Sequence, residues 1–281
     1  MLIQPISDLH LDCLKGMHRD DFFGRIIRPE ADAIILAGDV VEGGDLNIFK
    51  EEISSISKPI YYVAGNHEYW GVPCNELIQF LRHELRHFHN IKVLENDHVV
   101  LGDTVLIGGT MWTNLHNPIN ANMIQRYMRD FQRSPGLTTN WTNAKHDATV
   151  KYIEDCLKLE QWRDKKKIVV THHGPSFQAV DEFYKFDTAN CGYQSNLNHI
   201  LDSEWAPDVW IHGHSHMFMD KFIGNTRVIR NPYGYFSYGE QDTKFDSKFM
   251  IDTENLKAVK EEVLPVTDVW ADFEEKLRGG C

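Results

Sequence analysis

The sequence predicts an α/β fold of two stacked sheets flanked by helices. Three observations carry this. Short apolar runs rich in β-branched residues alternate with helical patterns. Five of those runs stop at polar residues whose side chains can bind metals. The last third of the chain returns to strands. In open α/β sheets, ligands bind beyond the carboxyl ends of the strands, so this order builds one site from five strand ends.

The strand candidates come in order. Leu2–Ser7 stops at Asp8, and Ala33–Ala37 stops at Gly38-Asp39. Ile60–Ala64 stops at Gly65-Asn66-His67, Ile168–Thr171 at His172, and Val209–Ile211 at His212-Gly213-His214. Lys221–Ile223 and Arg227–Ile229 flank a Gly224-Asn225 turn, and Lys248–Ile251 follows. Between them, Leu77, Ile78, Leu81, Leu85 and Phe88 repeat at helical spacing after Pro73. A longer amphipathic helix carries Ala148, Tyr152, Ile153, Cys156, Leu157 and Leu159, with Thr142 or Asn143 as its expected N-cap. The stretch 117–139 is the least sheet-like. Met123, Ile124, Tyr127, Met128 and Phe131 stand at helical spacing there, before Pro135-Gly136, and predict a helical insertion near the site. No repeat or linker divides residues 1–281, so one domain is expected.

Composition narrows the function. A net charge of −12 repels a nucleic-acid backbone, whose binding depends on Lys and Arg neutralising phosphates. No extended nucleic-acid partner is expected. No apolar run is long enough to span a membrane, and no signal-peptide pattern precedes the first strand, so the expected address is cytoplasmic. The cysteines, Cys13, Cys74, Cys156, Cys191 and Cys281, are odd in number and lack a CxxC pair. They read as reduced thiols.

The residues at the strand ends suit a two-metal site. Two divalent cations about 3.5–4 Å apart acidify water, neutralise phosphate oxygens and stabilise a leaving oxygen. Such a site needs imidazoles and a carboxylate that can bridge. Asp8 and His10 flank Leu9, and strand alternation would put both on one face. The same alternation would place His214 and His216 together, with His212 possible on that side. Asp39 follows Gly38, which permits a sharp exit from the strand. Asn66 offers an amide oxygen, and His172 another imidazole. His83, His87 and His89 sit on or just after a helix and receive no role, while His18, His98, His116 and His199 are read as structural or solvated.

Asp8-Leu9-His10, Gly38-Asp39, Gly65-Asn66-His67-Glu68, Thr171-His172-His173 and Gly213-His214-Ser215-His216 resemble the five motif blocks of the calcineurin-like metallophosphoesterase superfamily. Thr110-Met111-Trp112-Thr113 and Asn231-Pro232-Tyr233-Gly234-Tyr235 resemble segments of its Icc-like bacterial and phage branch, with Tyr233 where that branch usually has Arg. The resemblance implies a four-layer α/β/β/α sandwich of two mixed β-sheets. It implies that Asp8, His10 and His216 bind one cation, that Asn66, His172 and His214 bind a second, and that Asp39 bridges. His67 would be the acid that protonates the leaving oxygen. His173 would neighbour the ligands or contact substrate. Imidazole, carboxylate and amide donors suit Mn²⁺, Fe and Zn²⁺ alike; Mn²⁺ is taken first.

One departure from the family pattern bears on substrate. The protein phosphatases of this superfamily carry GDxVDRG and RGNHE. Here Gly43 and Ala64 replace both phosphate-clamping arginines, and a bidentate guanidinium–phosphate contact is strong. Glu42, where that family has an Asp orienting the catalytic His, reads either as a longer equivalent or as a solvent-exposed turn residue. The expected reaction is hydrolysis of a small phosphate ester by attack of a metal-bridging hydroxide. A phosphodiester such as a cyclic nucleotide is expected, with a phosphomonoester as the alternative. A non-catalytic scaffold would show eroded ligands, and a repair-type nuclease would want a basic groove. Arg126, Arg129 and Arg133, at three- and four-residue steps, are either a solvated face or a cationic lid that binds the substrate, with Asn114 and His116 nearby.

Overall fold

The computed structural model describes residues 1–14, 21–235 and 243–257. His18 and Cys281 lie outside them. Two mixed sheets form the centre. The first holds β1 (Leu2–Ile6), β2 (Ala33–Ala37), β3 (Ile60–Val63) and β4 (Ile91–Val93), all parallel. The second holds β5 (Asp97–Leu101), β6 (Thr104–Gly108), β7 (Lys166–Val170), β8 (Val209–Ile211), β9 (Met219–Ile223) and β10 (Thr226–Arg230), in the order β5-β6-β7-β8-β10-β9. Its middle four strands are parallel, and β5 and β9 are antiparallel edges. The expected strand at Lys248–Ile251 is instead the two-residue β11 (Ile251–Asp252), antiparallel on β1.

Side chains alternate across each strand, and the core sorts accordingly. Ile35, Ala37 and Val63 of the first sheet meet Leu106, Ile168, Val170, Val209 and Ile229 of the second, forming the sheet interface. Their neighbours Ile34, Leu36 and Tyr62 point the other way, onto Phe49 of α2 (Asn47–Ser54) and Leu77 and Leu81 of α3 (Leu77–Glu84); α1 (Phe22–Ile26) joins that layer. On the far side, Ile107, Val169 and Trp210 pack against Ile153, Cys156 and Leu157. The result is the expected four-layer sandwich.

The insertion forms α4 (Pro118–Tyr127) and α5 (Asp130–Arg133), and the long helix α6 (Thr139–Leu157) begins directly after it. Its N-cap is Thr138, whose hydroxyl accepts from Trp141 N at 3.2 Å, so neither Thr142 nor Asn143 caps it. Both lie one turn inside, where Asn143 accepts from Leu115 N. Ile200 and Leu201 of α7 (Asn198–Leu201) close the same layer. No helix among the described residues is long and apolar enough to cross a membrane.

The strand alternation expected for the ligating residues does not hold. β1 ends at Ile6 and β8 at Ile211, before Asp8 and His214. Asp8 (φ 54°), His10 (φ 43°), Asp39 (φ 53°) and His214 (φ 67°) instead adopt the left-handed region, which costs a non-glycine residue about 1–2 kcal/mol. These turns, not a strand pleat, aim the side chains. Two devices hold them. Asn231, Tyr233 and Gly234 clamp the end of β1: Ser7 N donates to Asn231 O, Tyr233 N to Ser7 O, and Gly234 N to Asp8 O.

Glu68 is the second device. It is fully buried, and its carboxylate accepts from Val40 N (2.7 Å), Asp39 N (3.1 Å), Gly65 N (2.8 Å) and the Tyr62 hydroxyl (2.7 Å). It thereby staples the loop after β2 to the loop after β3. Burial, with the Asp39 charge, pushes its pKa up to about 7, against the four donated bonds, which favour the ionised form. Glu68→Gln turns an amide NH₂ onto some of those donors, and a buried unsatisfied group costs roughly 1–3 kcal/mol. The metal-free variant is therefore expected to lose about 2–4 kcal/mol in urea unfolding; wild-type stability would show that the loops hold without the staple.

Candidate metal centre

The five strand ends bring their polar side chains together: Asp39, Asn66, His67, His214 and His216 line one cleft, and Asp8, His10 and His172 are buried beside them, outside its lining. Asp8 is fully buried, and its Oδ1 lies 3.5 Å from His216 Nε2. His10 Nε2 is 3.3 Å from that same nitrogen and 3.9 Å from Asp39 Oδ2. On the other side, His172 Nε2 lies 2.8 Å from Asn66 Oδ1 and 3.4 Å from Asp39 Oδ1. His172 Nδ1 donates to Ala37 O at 2.9 Å, which leaves Nε2 facing the cluster. Asp39 thus turns one oxygen to each half.

These atoms fit metal ions. The donor atoms of Asp8, His10 and His216 lie within 4.8 Å of one another, as do those of Asp39, His172 and His214. Imidazole and carboxylate donors of this kind suit divalent cations, and His214 supplies one of the converging imidazoles. His214 N meanwhile donates to both oxygens of Asp8, at 2.9 and 3.2 Å, tying the two halves together. Donor atoms of His10, Asp39 and His67 converge equally closely, but His67 Nε2 is 2.9 Å from the Tyr235 hydroxyl.

Electrostatics follow the crowding. Burial raises the Asp39 carboxyl, but His172, His67 and His10 outweigh it and hold it well below the usual carboxylate range. Asp8 is likewise raised by burial and brought down overall by the hydrogen bond and charge of His216. Burial drives His10 and His214 well below the ordinary imidazole value, leaving neutral rings with lone pairs to donate. Burial opposes a charge on His172 too, yet Asp39 lifts it to about 9. A proton there stands in the place of a cation's charge.

His67 is fixed from three directions. Its backbone N–H donates to Asp39 Oδ1 at 2.9 Å, and its ring stacks on Trp70 with centroids 3.7 Å apart. The Tyr235 hydroxyl meets Nε2, and the Tyr235 ring stacks on His10 at 4.1 Å. Glu42 does not orient His67: its carboxylate pairs with Arg133, while its N–H donates to Asp12. His173 is buried behind the ligands, between Trp112 and His214, and outside the cleft lining. His212 is also buried, with its Nδ1 on Gly213 O, and belongs to no converging donor group among the described residues.

The three arginines do not share one helix. Met128 is extended (ψ 130°) and ends α4, so Arg126 stands on α4 while Arg129 and Arg133 flank and close α5. Arg129 and Arg133 line the cleft, whose volume is about 1010 Å³; Arg126 is exposed and does not. The Arg133 guanidinium lies 4.3 Å over the Trp70 ring. His116 pairs with Asp147 at the surface, and Asn114 Oδ1 accepts from His116 N. His98 bonds the Tyr152 hydroxyl and His199 bonds Glu154, as expected for structural or surface histidines.

Sequence reasoning gave no role to Glu68, Trp70, Asp130 or Tyr235. Asp130 Oδ1 accepts from both Asn66 Nδ2 (2.7 Å) and Trp70 Nε1 (2.8 Å). Glu68 and Tyr235 stand inside the Gly65–Glu68 and Asn231–Tyr235 motifs, and that position is their signal in the sequence. Asp130 had no such signal, because only folding brings the insertion to Asn66.

The model of the calcineurin-like phosphoesterase family matches residues 5–218. An uncharacterised protein of Acanthamoeba polyphaga mimivirus is 28% identical over 91% of this chain and 98% of its own length. The solved phosphopantetheinyl hydrolase of Mycobacterium tuberculosis has a similar fold, with a TM-score of 0.65 and 16% identity over 85% of this chain and 92% of that one. With the family model covering every converging donor, the chain belongs to the calcineurin-like phosphoesterase family, and its His/Asp cluster is fit to bind divalent metal.

Proposed function

We propose that the protein is a two-metal phosphodiesterase for a small diester such as a cyclic nucleotide, working in the cytoplasm. The observation that carries the diester reading is the surroundings of Gly43 and Ala64. A Cβ at Gly43 would overlap the carbonyl oxygen of Glu68, and Gly43 N donates to His67 O at 2.9 Å. No side chain fits there. Ala64 is fully buried in the core. Neither position can send a guanidinium into the cleft, and Arg133 is engaged by Glu42. A monoanionic diester needs less such charge than a dianionic monoester, and a cleft of about 1010 Å³ is large enough for a small diester. The net charge of −12 disfavours a long nucleic-acid substrate. Free thiols at Cys13, Cys74, Cys156 and Cys191 suit a reducing compartment.

Asp8, His10 and His216 would hold one cation and Asn66, His172 and His214 the other, with Asp39 between them. When bound, the pair supplies charge neutralisation at the phosphoryl oxygens and a lowered pKa for the attacking water; Mn²⁺ is the first choice, and Fe or Zn²⁺ suit the same donors. His67 delivers the proton to the leaving oxygen. Trp70 and the His67 N–H bond to Asp39 hold the ring at the cleft wall, and the Tyr235 hydroxyl marks where Nε2 is directed. Arg129 stands on the cleft wall with no carboxylate partner among the described residues. It favours the second reading, a phosphomonoesterase, by offering a cation for the extra charge.

A panel assay with Mn²⁺ separates the readings. The diester bis-p-nitrophenyl phosphate is expected to exceed p-nitrophenyl phosphate in kcat/KM by about 10-fold or more, a barrier difference of about 1.4 kcal/mol. The reverse ranking would favour the monoesterase, and a metal-loaded protein inert toward both esters and toward cyclic and linear nucleotides would contradict an esterase. His67→Ala should keep its metals. General acid catalysis is worth about 10²–10⁴-fold, so the variant should lose about that much on diesters with poor leaving groups and far less on nitrophenyl esters. Equal losses on both classes would remove His67 from the acid role.

A further inference from the structure

We propose that Asp130 is a positioning residue that sets both the metal-facing amide of Asn66 and the platform behind His67. It rests on the two-metal reading above. Asp130 opens α5 and is only 3% exposed. One of its two oxygens, Oδ1, accepts from both Asn66 Nδ2 and Trp70 Nε1. A carboxylate only accepts hydrogen bonds, so Asn66 must present its NH₂ to Asp130. Its Oδ1 then faces the other way, toward His172 Nε2 at 2.8 Å and the second donor group. Without Asp130 nothing accepts from the Asn66 NH₂ on that side, and only the His172 contact is left to keep Oδ1 toward the place of the cation.

Trp70 carries the same constraint to the acid. Its indole is held at Nε1 by Asp130, and it is sandwiched between the His67 ring and the Arg133 guanidinium. Asp130 forms no ion pair among the described residues, so two neutral donors alone meet its buried charge. Burying an unpaired charge is unfavourable for folding. It gains a purpose here, because an anionic acceptor polarises the Asn66 amide and strengthens the oxygen that faces the cation. The insertion is therefore keyed into the metal centre through one side chain, and the cleft wall bearing Arg129 and Arg133 is fixed relative to Asn66.

The test is calorimetric titration of Mn²⁺ into metal-free wild type, Asp130→Ala, Asp130→Asn, Asn66→Ala and the Asp130→Ala/Asn66→Ala double variant, with thermal melts of each metal-free protein. Losing an outer partner of a metal ligand typically costs about 10–100-fold in affinity. Asp130→Ala is expected to weaken one of two Mn²⁺ sites by about that factor and leave the other unchanged. Asp130→Asn, which keeps an acceptor oxygen in place, should recover most of the loss. Asp130→Ala should add nothing once Asn66 is Ala. Two sites of wild-type affinity in Asp130→Ala would overturn the proposal. So would equal weakening of both sites with a lowered melting temperature, or an asparagine no better than alanine. A wild type that binds fewer than two Mn²⁺ would sink the two-metal reading itself, and this proposal with it.

Discussion

Four donors converge on the buried carboxylate of Glu68, and the site depends on that convergence. The loop after β2 carries Asp39, the residue whose two oxygens face the two halves of the cluster. The loop after β3 carries Asn66 and His67. The Glu68 carboxyl accepts from Asp39 N and Val40 N of the loop after β2, from the Tyr62 hydroxyl of β3 and from Gly65 N of the loop after it. Buried backbone N–H groups need partners, and here one carboxyl group accepts from three of them. Gly43 belongs to the same arrangement, because only a residue without a Cβ lets that chain pass against the Glu68 carbonyl.

The staple works against strain. Asp8, His10, Asp39 and His214 all have positive φ, at a combined cost of several kcal/mol, roughly 1–2 kcal/mol each. Burial of single aliphatic side chains at the sheet interface contributes roughly 1.5–3 kcal/mol apiece, so the packed sheets can sustain loops of this kind. Strain of this sort concentrates at functional sites, where surrounding structure over-determines it. Glu68, the clamp from Asn231 to Gly234 and the bond from His214 N to the Asp8 carboxylate are that surrounding structure.

Much of this is legible in the sequence, for a physical reason. A parallel strand buried on both faces is a short apolar run, and its end is marked where the run meets Asp, Asn or His. The five ends that carry donors therefore stand out, and their donors do converge. The reason given for the convergence, strand alternation, does not hold, since the chain leaves the pleat before Asp8 and before His214. Left-handed turns at Asp and His leave little trace in residue type. Asp130 and Tyr235 reach the site by long-range packing, across 64 residues from Asp130 to Asn66 and 168 from Tyr235 to His67, while Trp70, next to the His67 turn, shows its role only once Asp130 holds its indole. A helical pattern likewise hid the break at Met128, which parts Arg126 from the two arginines on the cleft wall. Thr138 is hard to read as a cap because Thr139 to Asn143 is polar apart from Trp141 and lacks the apolar stripe that marks the rest of α6.

In the proposed function this cluster holds two cations that share Asp39. Anomalous diffraction at the manganese edge, from crystals grown with Mn²⁺, tests it most directly. Two peaks are expected, one among Asp8, His10 and His216 and one among Asn66, His172 and His214, each within coordination distance of a different oxygen of Asp39. A single peak, or two peaks with Asp39 bound to only one, would contradict it.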